Sequence, residues 1–202
     1  MNADQLLSLA SFAVATSITP GPNNLMLMMS GANFGLRRTL PHWLGVALGF
    51  TFMIFAIGLG LAALLERSPT ARIALQVCGI GYMLWLAYRL ATSHTLAKGQ
   101  GRSTPLTFFE AAAFQWANPK AWAMALSAIG VYAASGASGQ VGLVATVFGL
   151  LNFPCVGVWV GAGQKLRGAL QDERKLRIFN GALAALLALS VASTVWGLWA
   201  GL

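Results

Sequence analysis

Two short polar stretches interrupt apolar segments of this chain and hold the residues best suited to bind a small molecule. They are residues 18–24 (ITPGPNN) and residues 117–121 (ANPKA). Each contains proline, which lacks the N–H of a continuous helix and clashes with the preceding turn, so each stretch is predicted to break a helix. The carbonyl groups that lose their helical partner must then find others. The candidate binding residues are Thr19, Pro20, Gly21, Pro22, Asn23, Asn24, Gln115, Asn118, Pro119 and Lys120.

A capping residue followed by proline occurs in both stretches and predicts the start of a half-helix in each. Thr19 precedes Pro20, and Asn118 precedes Pro119. Threonine and asparagine cap helix N-termini, and proline suits the first helical position. Such a start exposes free N–H groups and the positive end of the helix dipole, which together bind anions. Gly21 would allow the backbone to approach a ligand closely.

Lys120 places a positive charge inside an apolar segment, where a charge costs at least about 2.5–3.5 kcal/mol to insert into a membrane. No Asp or Glu lies deep in such a segment, and Glu110 lies too far before Lys120 for a direct pair. A substrate carboxylate is therefore a candidate counter-ion. The alternatives are that Lys120 extends towards the membrane surface or bonds carbonyls released by the prolines. Asn23 and Asn24 can both donate and accept hydrogen bonds to a ligand.

The composition indicates that both breaks lie within a membrane. Hydrophobic residues make up 57% of the chain, charged residues 9%, and the mean hydropathy is +0.68. We therefore expect an all-α polytopic membrane protein, in which irregular backbone is buried in protein or lines a cavity. The net charge of +8 is spread over short gaps without a nucleic-acid-binding motif, so no nucleic-acid partner is predicted. The apolar segments hold no nucleophile–base pair or metal ligand set, so neither an enzyme nor a cofactor is expected.

Hydropathy predicts six spans, of which the first and fourth are broken: residues 6–34, 42–65, 72–91, 108–134, 141–164 and 178–201. Ten Lys and Arg residues lie in connections one, three and five, and two lie on the opposite side. Basic connections stay cytoplasmic, so both termini are predicted outside; a re-entrant first segment would instead place the N-terminus inside. Residues 13–15 resemble a signal-peptidase site, but no basic segment precedes them, so an uncleaved first span is expected.

The matching breaks also predict an internal repeat. Pro20 and Pro119 take corresponding positions in the first and fourth spans. Three spans in each half force the halves into opposite orientations, and broken helices in inverted repeats mark the midplane site of a transporter. The predicted organisation is a single membrane transporter domain over residues 1–202, with repeat one over 1–91, a cytoplasmic connector over 92–107 and repeat two over 108–202.

Small residues four apart occur at residues 31 and 35, 45 and 49, and 157 and 161, and predict close helix packing. A further motif, Asn152-Phe153-Pro154, either kinks the fifth span or lines the site.

At these residues the chain resembles the LysE/RhtB family of amino-acid exporters. The resemblance rests on residues 19–24, on the spacing of the glycines from 31 to 49, and on residues 118–121. It implies a bacterial inner-membrane exporter, driven by a proton or ion gradient, that carries amino acids or close relatives outwards. The implied partners are a small-molecule substrate and the lipid bilayer, and a homo-oligomer is left open.

The residues and the resemblance together suggest one mechanism. A substrate carboxylate would bind the two half-helix starts near Lys120. Carbonyls freed around Thr16 and Gln115, with the Asn23 and Asn24 side chains, would take the ammonium, and rocking of the halves would alternate access. Neutral amino acids are favoured because no deep carboxylate compensates a cationic side chain.

Two other classes of membrane protein fit the sequence less well. A thiol-redox carrier would need cysteines in corresponding spans, whereas Cys78 and Cys155 fall in the third and fifth. An ion or metal transporter would need a cluster of carboxylates, histidines or thiolates within the spans.

Overall fold

The computed structural model describes residues 1–92 and 104–199, and every regular element in these two parts is helical. The helices are α1 (Ala3–Ile18), α2 (Pro22–Ala56), α3 (Ala62–Glu66), α4 (Pro69–Ala91), α5 (Phe108–Ala117), α6 (Pro119–Tyr132), α7 (Ser138–Leu166) and α8 (Glu173–Trp199). A π-helical segment, Ile57–Leu61, joins α2 to α3, and a 3₁₀ turn, Ala169–Gln171, precedes α8. Most of the predicted connector, residues 93–103, lies outside the described parts.

Both predicted helix breaks are present. α1 ends at Ile18 and α2 begins at Pro22, while α5 ends at Ala117 and α6 begins at Pro119. Within α2 the backbone turns at Gly35, whose φ of 77° and ψ of 171° lie in a region that only glycine enters readily. The predicted first connection is therefore a one-residue turn, after which the helix resumes at once.

Two helical stretches in the described parts are long and apolar enough to cross a membrane by length and composition. They are Pro22–Leu64, with 43 residues, and Ser138–Leu166, with 29 residues, and they contain 18-residue segments with mean hydropathies of 2.2 and 2.0 respectively. α1 is apolar but shorter. Large hydrophobic side chains are exposed along the outer helix faces, as in Phe52, Val77 and Leu150, an arrangement suited to contact with lipid.

The last helix starts earlier than hydropathy predicts, at Glu173 instead of residue 178. Asp172 explains the difference, because its Oδ1 accepts hydrogen bonds from the backbone N–H groups of Arg174 and Lys175 at 2.9 and 3.1 Å. A side-chain cap of this kind stabilises a first turn made of charged residues. Hydropathy does not register it.

The centre of the protein is the contact between α2 and α7. A Cβ atom at Gly31 would overlap the carbonyl of Val160, and one at Gly163 would overlap the carbonyl of Met28. The two backbones thus approach closely only because both positions are glycine. The rest of the core is mainly apolar, with Phe148 in edge contact with the Phe50 ring at a centroid distance of 5.4 Å.

Gly45 and Gly49 pack in the same way against α5, where a Cβ atom would meet the Phe108 carbonyl and Ala112 respectively. The predicted close packing thus occurs at these positions. At the third pattern, Gly157 accommodates the Trp43 ring, whereas Gly161 has open space beside it.

The outer helices pack against this centre or against each other. α1 packs against α7, α5 packs against α2, and α4 packs against α8. The ends of α1 and α5, where the chain breaks, are thereby held beside the α2–α7 pair.

Candidate functional site

The carbonyls freed at the first break are bonded by side chains near them in sequence. The Thr19 hydroxyl donates to the Thr16 carbonyl at 2.8 Å. Asn24 Nδ2 donates to the carbonyls of Ser17 and Thr19 at 2.8 and 2.7 Å. The break is therefore an ordered turn in which these backbone carbonyls are hydrogen-bonded.

α7 contributes two further side chains to the end of α1. Trp159 Nε1 donates to the Ile18 carbonyl at 3.1 Å, and Asn152 Nδ2 donates to the Ser17 hydroxyl at 3.0 Å. Both contacts join residues more than a hundred positions apart. They attach the broken end of α1 to the predicted second half of the chain.

Lys120 connects the two breaks directly. Its Nζ donates to the Thr19 carbonyl at 2.7 Å, to the Thr19 hydroxyl at 2.8 Å and to the Pro20 carbonyl at 3.4 Å. Of the interpretations that the sequence leaves open for Lys120, bonding to carbonyls at the proline break is therefore present in this structure. All three of these partners of the ammonium group are neutral oxygens.

At the second break, the predicted half-helix start is confirmed. Asn118 is the N-cap of α6, its Oδ1 accepts the backbone N–H of Lys120 at 3.1 Å, and Pro119 takes the first helical position. The Asn118 N–H in turn donates to the carbonyl of Gln115 at 3.2 Å.

At the first break, the predicted capping residue is wrong. Thr19 is the C-cap of α1, whereas Gly21 is the N-cap of α2 and Pro22 is its first residue. Either proline could begin a helix by its fixed φ, but Gly21 is extended, with φ −175° and ψ 173°, so the helix starts after it. Pro22, not Pro20, therefore takes the same helix position as Pro119.

Asn23 and Gln115 form a second link between the breaks. Asn23 Nδ2 donates to Gln115 Oε1 at 2.7 Å, and Gln115 Nε2 donates back to Asn23 Oδ1 at 3.3 Å and to the Ala111 carbonyl at 2.8 Å. Gln115 is fully buried. Asn23 Oδ1 and the carbonyls of Thr16 and Gln115, which the sequence suggests as acceptors for an ammonium group, each receive a donor within the protein.

A cavity of about 330 Å³, including its open mouth, lies between the breaks. Of the predicted residues, Gly21, Asn23, Asn24, Asn118 and Lys120 line it. Thr19, Pro20, Pro22, Gln115 and Pro119 shape the turns around it instead.

The remaining walls of the cavity come from residues outside the candidate binding residues, although the Thr16 carbonyl was expected to contact the ammonium group. They are Thr16, Ser17, Val46, Phe50, Ala121, Met124, Asn152 and Val156. For Asn152 the Asn-Phe-Pro motif offered a signal, and its position in the wall agrees with the lining alternative stated above. The apolar residues gave no such signal, because the sequence pattern of an apolar helix face is the same whether the face packs on another helix or lines a cavity.

Lys120 is the cationic residue of this lining, and no Asp or Glu of the described parts belongs to it. Within residues 1–92 and 104–199 no three His, Cys, Asp or Glu side chains are grouped to hold a metal ion. Cys78 and Cys155 are free thiols on α4 and α7, the first exposed and the second half-buried. The cavity thus offers hydrogen bonding and one positive charge.

The sequence was also compared with known proteins. A family model for the LysE type translocators matches residues 14–194. The chain belongs to this family. The resemblance stated from the sequence is confirmed, and the family consists of inner-membrane transporters rather than enzymes.

Two named relatives illustrate the similarity of the chain to known proteins. The cysteine/O-acetylserine efflux proteins of Escherichia coli (strain K12) and Shigella sonnei (strain Ss046) are each 32% identical to the chain over 111 residues. The alignment covers 54% of this chain and 56% of each relative, a little over half of their length. No solved structure matches the chain.

Proposed function

We propose that this LysE-family protein is a secondary active transporter that exports small neutral amino acids or close derivatives across the cytoplasmic membrane. The observation that carries the proposal is the position of Lys120. It puts an ammonium group at the wall of a cavity between two helix starts, with neutral oxygens as its partners. A carboxylate would be a stronger partner than those oxygens, because it adds the attraction between opposite charges to the hydrogen bond.

The start of α2 adds to this preference for an anion. Gly21 has no side chain to cap the helix, so the first N–H groups of α2, from Asn23 and Asn24, receive no side-chain cap from it. They lie at the positive end of the helix dipole. A substrate carboxylate bound between Lys120 and this start would have a charged and a backbone partner at once.

Movement of the two halves is supported by the same contacts. The bonds from Lys120 to Thr19 and Pro20 tie α6 to the α1–α2 turn. A carboxylate that takes over the Lys120 ammonium releases this tie. Substrate binding would thereby favour a different arrangement of the halves, which is what alternating access requires.

We further infer two inverted repeats of three spans each. The packing of α1 on α7 has its counterpart in that of α5 on α2, while α4 and α8 pack on each other. Gly21-Pro22-Asn23 and Asn118-Pro119-Lys120 are the corresponding helix starts. With the excess of Lys and Arg in connections one, three and five, this arrangement leaves both termini outside.

The expected substrates are neutral because the described cavity lining has no Asp or Glu to balance a cationic side chain. Val46, Phe50 and Met124 form an apolar wall suited to a short side chain. The relatives named for cysteine and O-acetylserine efflux support these two compounds as the first to test. We propose that proton antiport drives export.

The test is export by cells that overproduce the protein. Extracellular cysteine, O-acetylserine and lysine are measured for the native chain, for Lys120→Met and for a control, Lys175→Met, whose side chain is exposed on α8. We expect export of the two neutral compounds by the native and control proteins and background levels for Lys120→Met, at equal amounts in the membrane. Unimpaired export by Lys120→Met would remove Lys120 from the site.

Two further results address the finer parts of the proposal. Equal export of lysine and cysteine would contradict the neutral preference. In proteoliposomes with an imposed pH gradient, a protonophore should end cysteine accumulation, and accumulation that persists unchanged would exclude proton antiport.

A further inference from the structure

Asn152 stands out among the cavity residues because half of its carboxamide is unused. The side chain is 4% exposed and lies on α7 in the cavity wall. Its Nδ2 donates to the Ser17 hydroxyl at 3.0 Å. Its Oδ1 is buried and has no hydrogen-bond partner within residues 1–92 and 104–199. Buried acceptors are normally bonded, and leaving one open is costly.

We propose that Asn152 Oδ1 accepts a hydrogen bond from the substrate's ammonium group and makes the site select compounds that carry one. This inference rests on the proposed function and deepens it by assigning the second pole of the substrate. Lys120 takes the carboxylate, and Asn152 takes the ammonium.

The backbone carbonyls near the first break are already bonded. The carbonyls of Thr16, Ser17 and Ile18 each receive a side-chain donor, and that of Thr19 receives two. Asn23 Oδ1 receives the amide of Gln115. Asn152 Oδ1 is the buried side-chain oxygen of the cavity wall that still lacks a donor among the described residues.

The chemistry of a carboxamide suits a neutral zwitterion. Asn152 offers an acceptor for the ammonium group without adding a charge to the cavity wall. The Ser17 contact restrains one end of the carboxamide and leaves the oxygen for the ligand. A site with a buried acceptor positioned for a substrate donor discriminates strongly against an analogue that lacks the donor, because the acceptor then stays unpaired.

Asn152 also connects the two halves, as Lys120 does. It lies on α7 and contacts Ser17 near the end of α1. A substrate held by Asn152 and Lys120 therefore has both of its poles bound beside the α1–α2 turn, where the predicted first and second halves meet.

The experiment compares two ligands that differ at one group. L-cysteine and 3-mercaptopropionate share the carboxylate and the thiol, but only cysteine has the ammonium. Each is titrated into the purified full-length protein, and thermal stabilisation gives the concentration for half-maximal effect. The proteins are the native chain, Asn152→Leu, Asn152→Asp and Asn33→Leu. Asn33 is a matched control because its Oδ1 is also buried without a partner in the described residues but does not belong to the cavity wall.

We expect the native protein and Asn33→Leu to prefer cysteine by about tenfold or more, as for a hydrogen bond to a charged group. Asn152→Leu should lose this preference, while Asn152→Asp should increase it, because a carboxylate binds the ammonium more strongly and repels the second ligand. A native-like preference in Asn152→Leu would overturn the proposal.

The Asp variant keeps the proposal testable if the Leu variant does not fold, since an unchanged or smaller preference in Asn152→Asp would also overturn it. Failure of the native protein to bind or export cysteine and related neutral amino acids would instead count against the proposed function. The proposed role of Asn152 and the proposed export function can therefore be refuted separately.

Discussion

Replacement of Gly21 by alanine tests whether the position of Lys120, and not only its presence, governs export. An added Cβ would lie 2.8 Å from Lys120 Cδ and 3.2 Å from its Nζ, whereas ordinary contacts are 3.4–4 Å. The lysine side chain must therefore move by about 0.6 Å or more to restore a normal separation. The extended backbone at Gly21, with φ −175°, is open to alanine, so no backbone strain accompanies the change.

The expected effect is on transport much more than on stability. A shift of this size disturbs the 2.7 and 2.8 Å bonds from Nζ to Thr19 and misplaces the charge for a substrate carboxylate. Misplacement by about 1 Å costs up to roughly a hundredfold in rate, so we expect export to fall by about tenfold to a hundredfold. The Thr19 carbonyl keeps its bond from Asn24. Alanine is a poorer N-cap residue than glycine, but it also reduces the conformational freedom of the unfolded chain, and the two effects nearly offset each other. The free energy of unfolding should therefore stay within about 1 kcal/mol of the native value.

The assay measures initial rates of cysteine export in proteoliposomes together with the melting temperature of the purified protein. Gly130→Ala is the matched control, because Gly130 lies on α6, as Lys120 does, and a Cβ atom added there would have no atom of the described residues within 4 Å. Export by Gly21→Ala at the rate of the control would refute the argument that Lys120 must hold this position. A large fall in melting temperature would show that the glycine has a structural role instead.

Two further variants test the frame around the cavity. Gly163→Ala should lower the free energy of unfolding by about 1–3 kcal/mol or more, because its Cβ meets the backbone of Met28, which cannot rotate away as a side chain can. Gly161→Ala, which has open space beside it, should change this free energy by no more than about 0.5 kcal/mol. Equal melting curves for the two variants would contradict the packing argument. Asn118→Ala should lower the free energy of unfolding by roughly 1 kcal/mol, because it removes the cap of α6, while Asn118→Asp keeps an acceptor oxygen and should retain most of that stability. Equal losses in the two variants would rule out capping as the cause.

The sequence was sufficient to predict where the helices break and which charge lies between the breaks. Proline chemistry is local, so the breaks at residues 18–24 and 117–121 follow from residue type. The first capping residue was not predictable in the same way, since Thr19-Pro20 and Gly21-Pro22 both suit a helix start. The extended backbone angles at Gly21 decide between them, and the sequence alone does not give those angles.

The partners of the freed groups also depend on tertiary structure. The need for new donors at the carbonyls of Thr16 and Ile18 could be deduced from the prolines, but the identity of Trp159 as one donor could not, because it lies on a distant helix. Asn152 was open to two interpretations for the same reason. A helical residue reveals its role only when its neighbouring helix is known.

The Lys120 tether has a consequence for how tightly a substrate binds. With three oxygens of Thr19 and Pro20 around its ammonium, the empty protein supplies its own weak ligand to the site. Every incoming carboxylate competes with that internal ligand, so its apparent dissociation constant is the intrinsic one divided by the fraction of time that Lys120 is free. For the proposed exporter this means that outflow stays slow while a metabolite is scarce and approaches its maximum only when the concentration exceeds this raised constant.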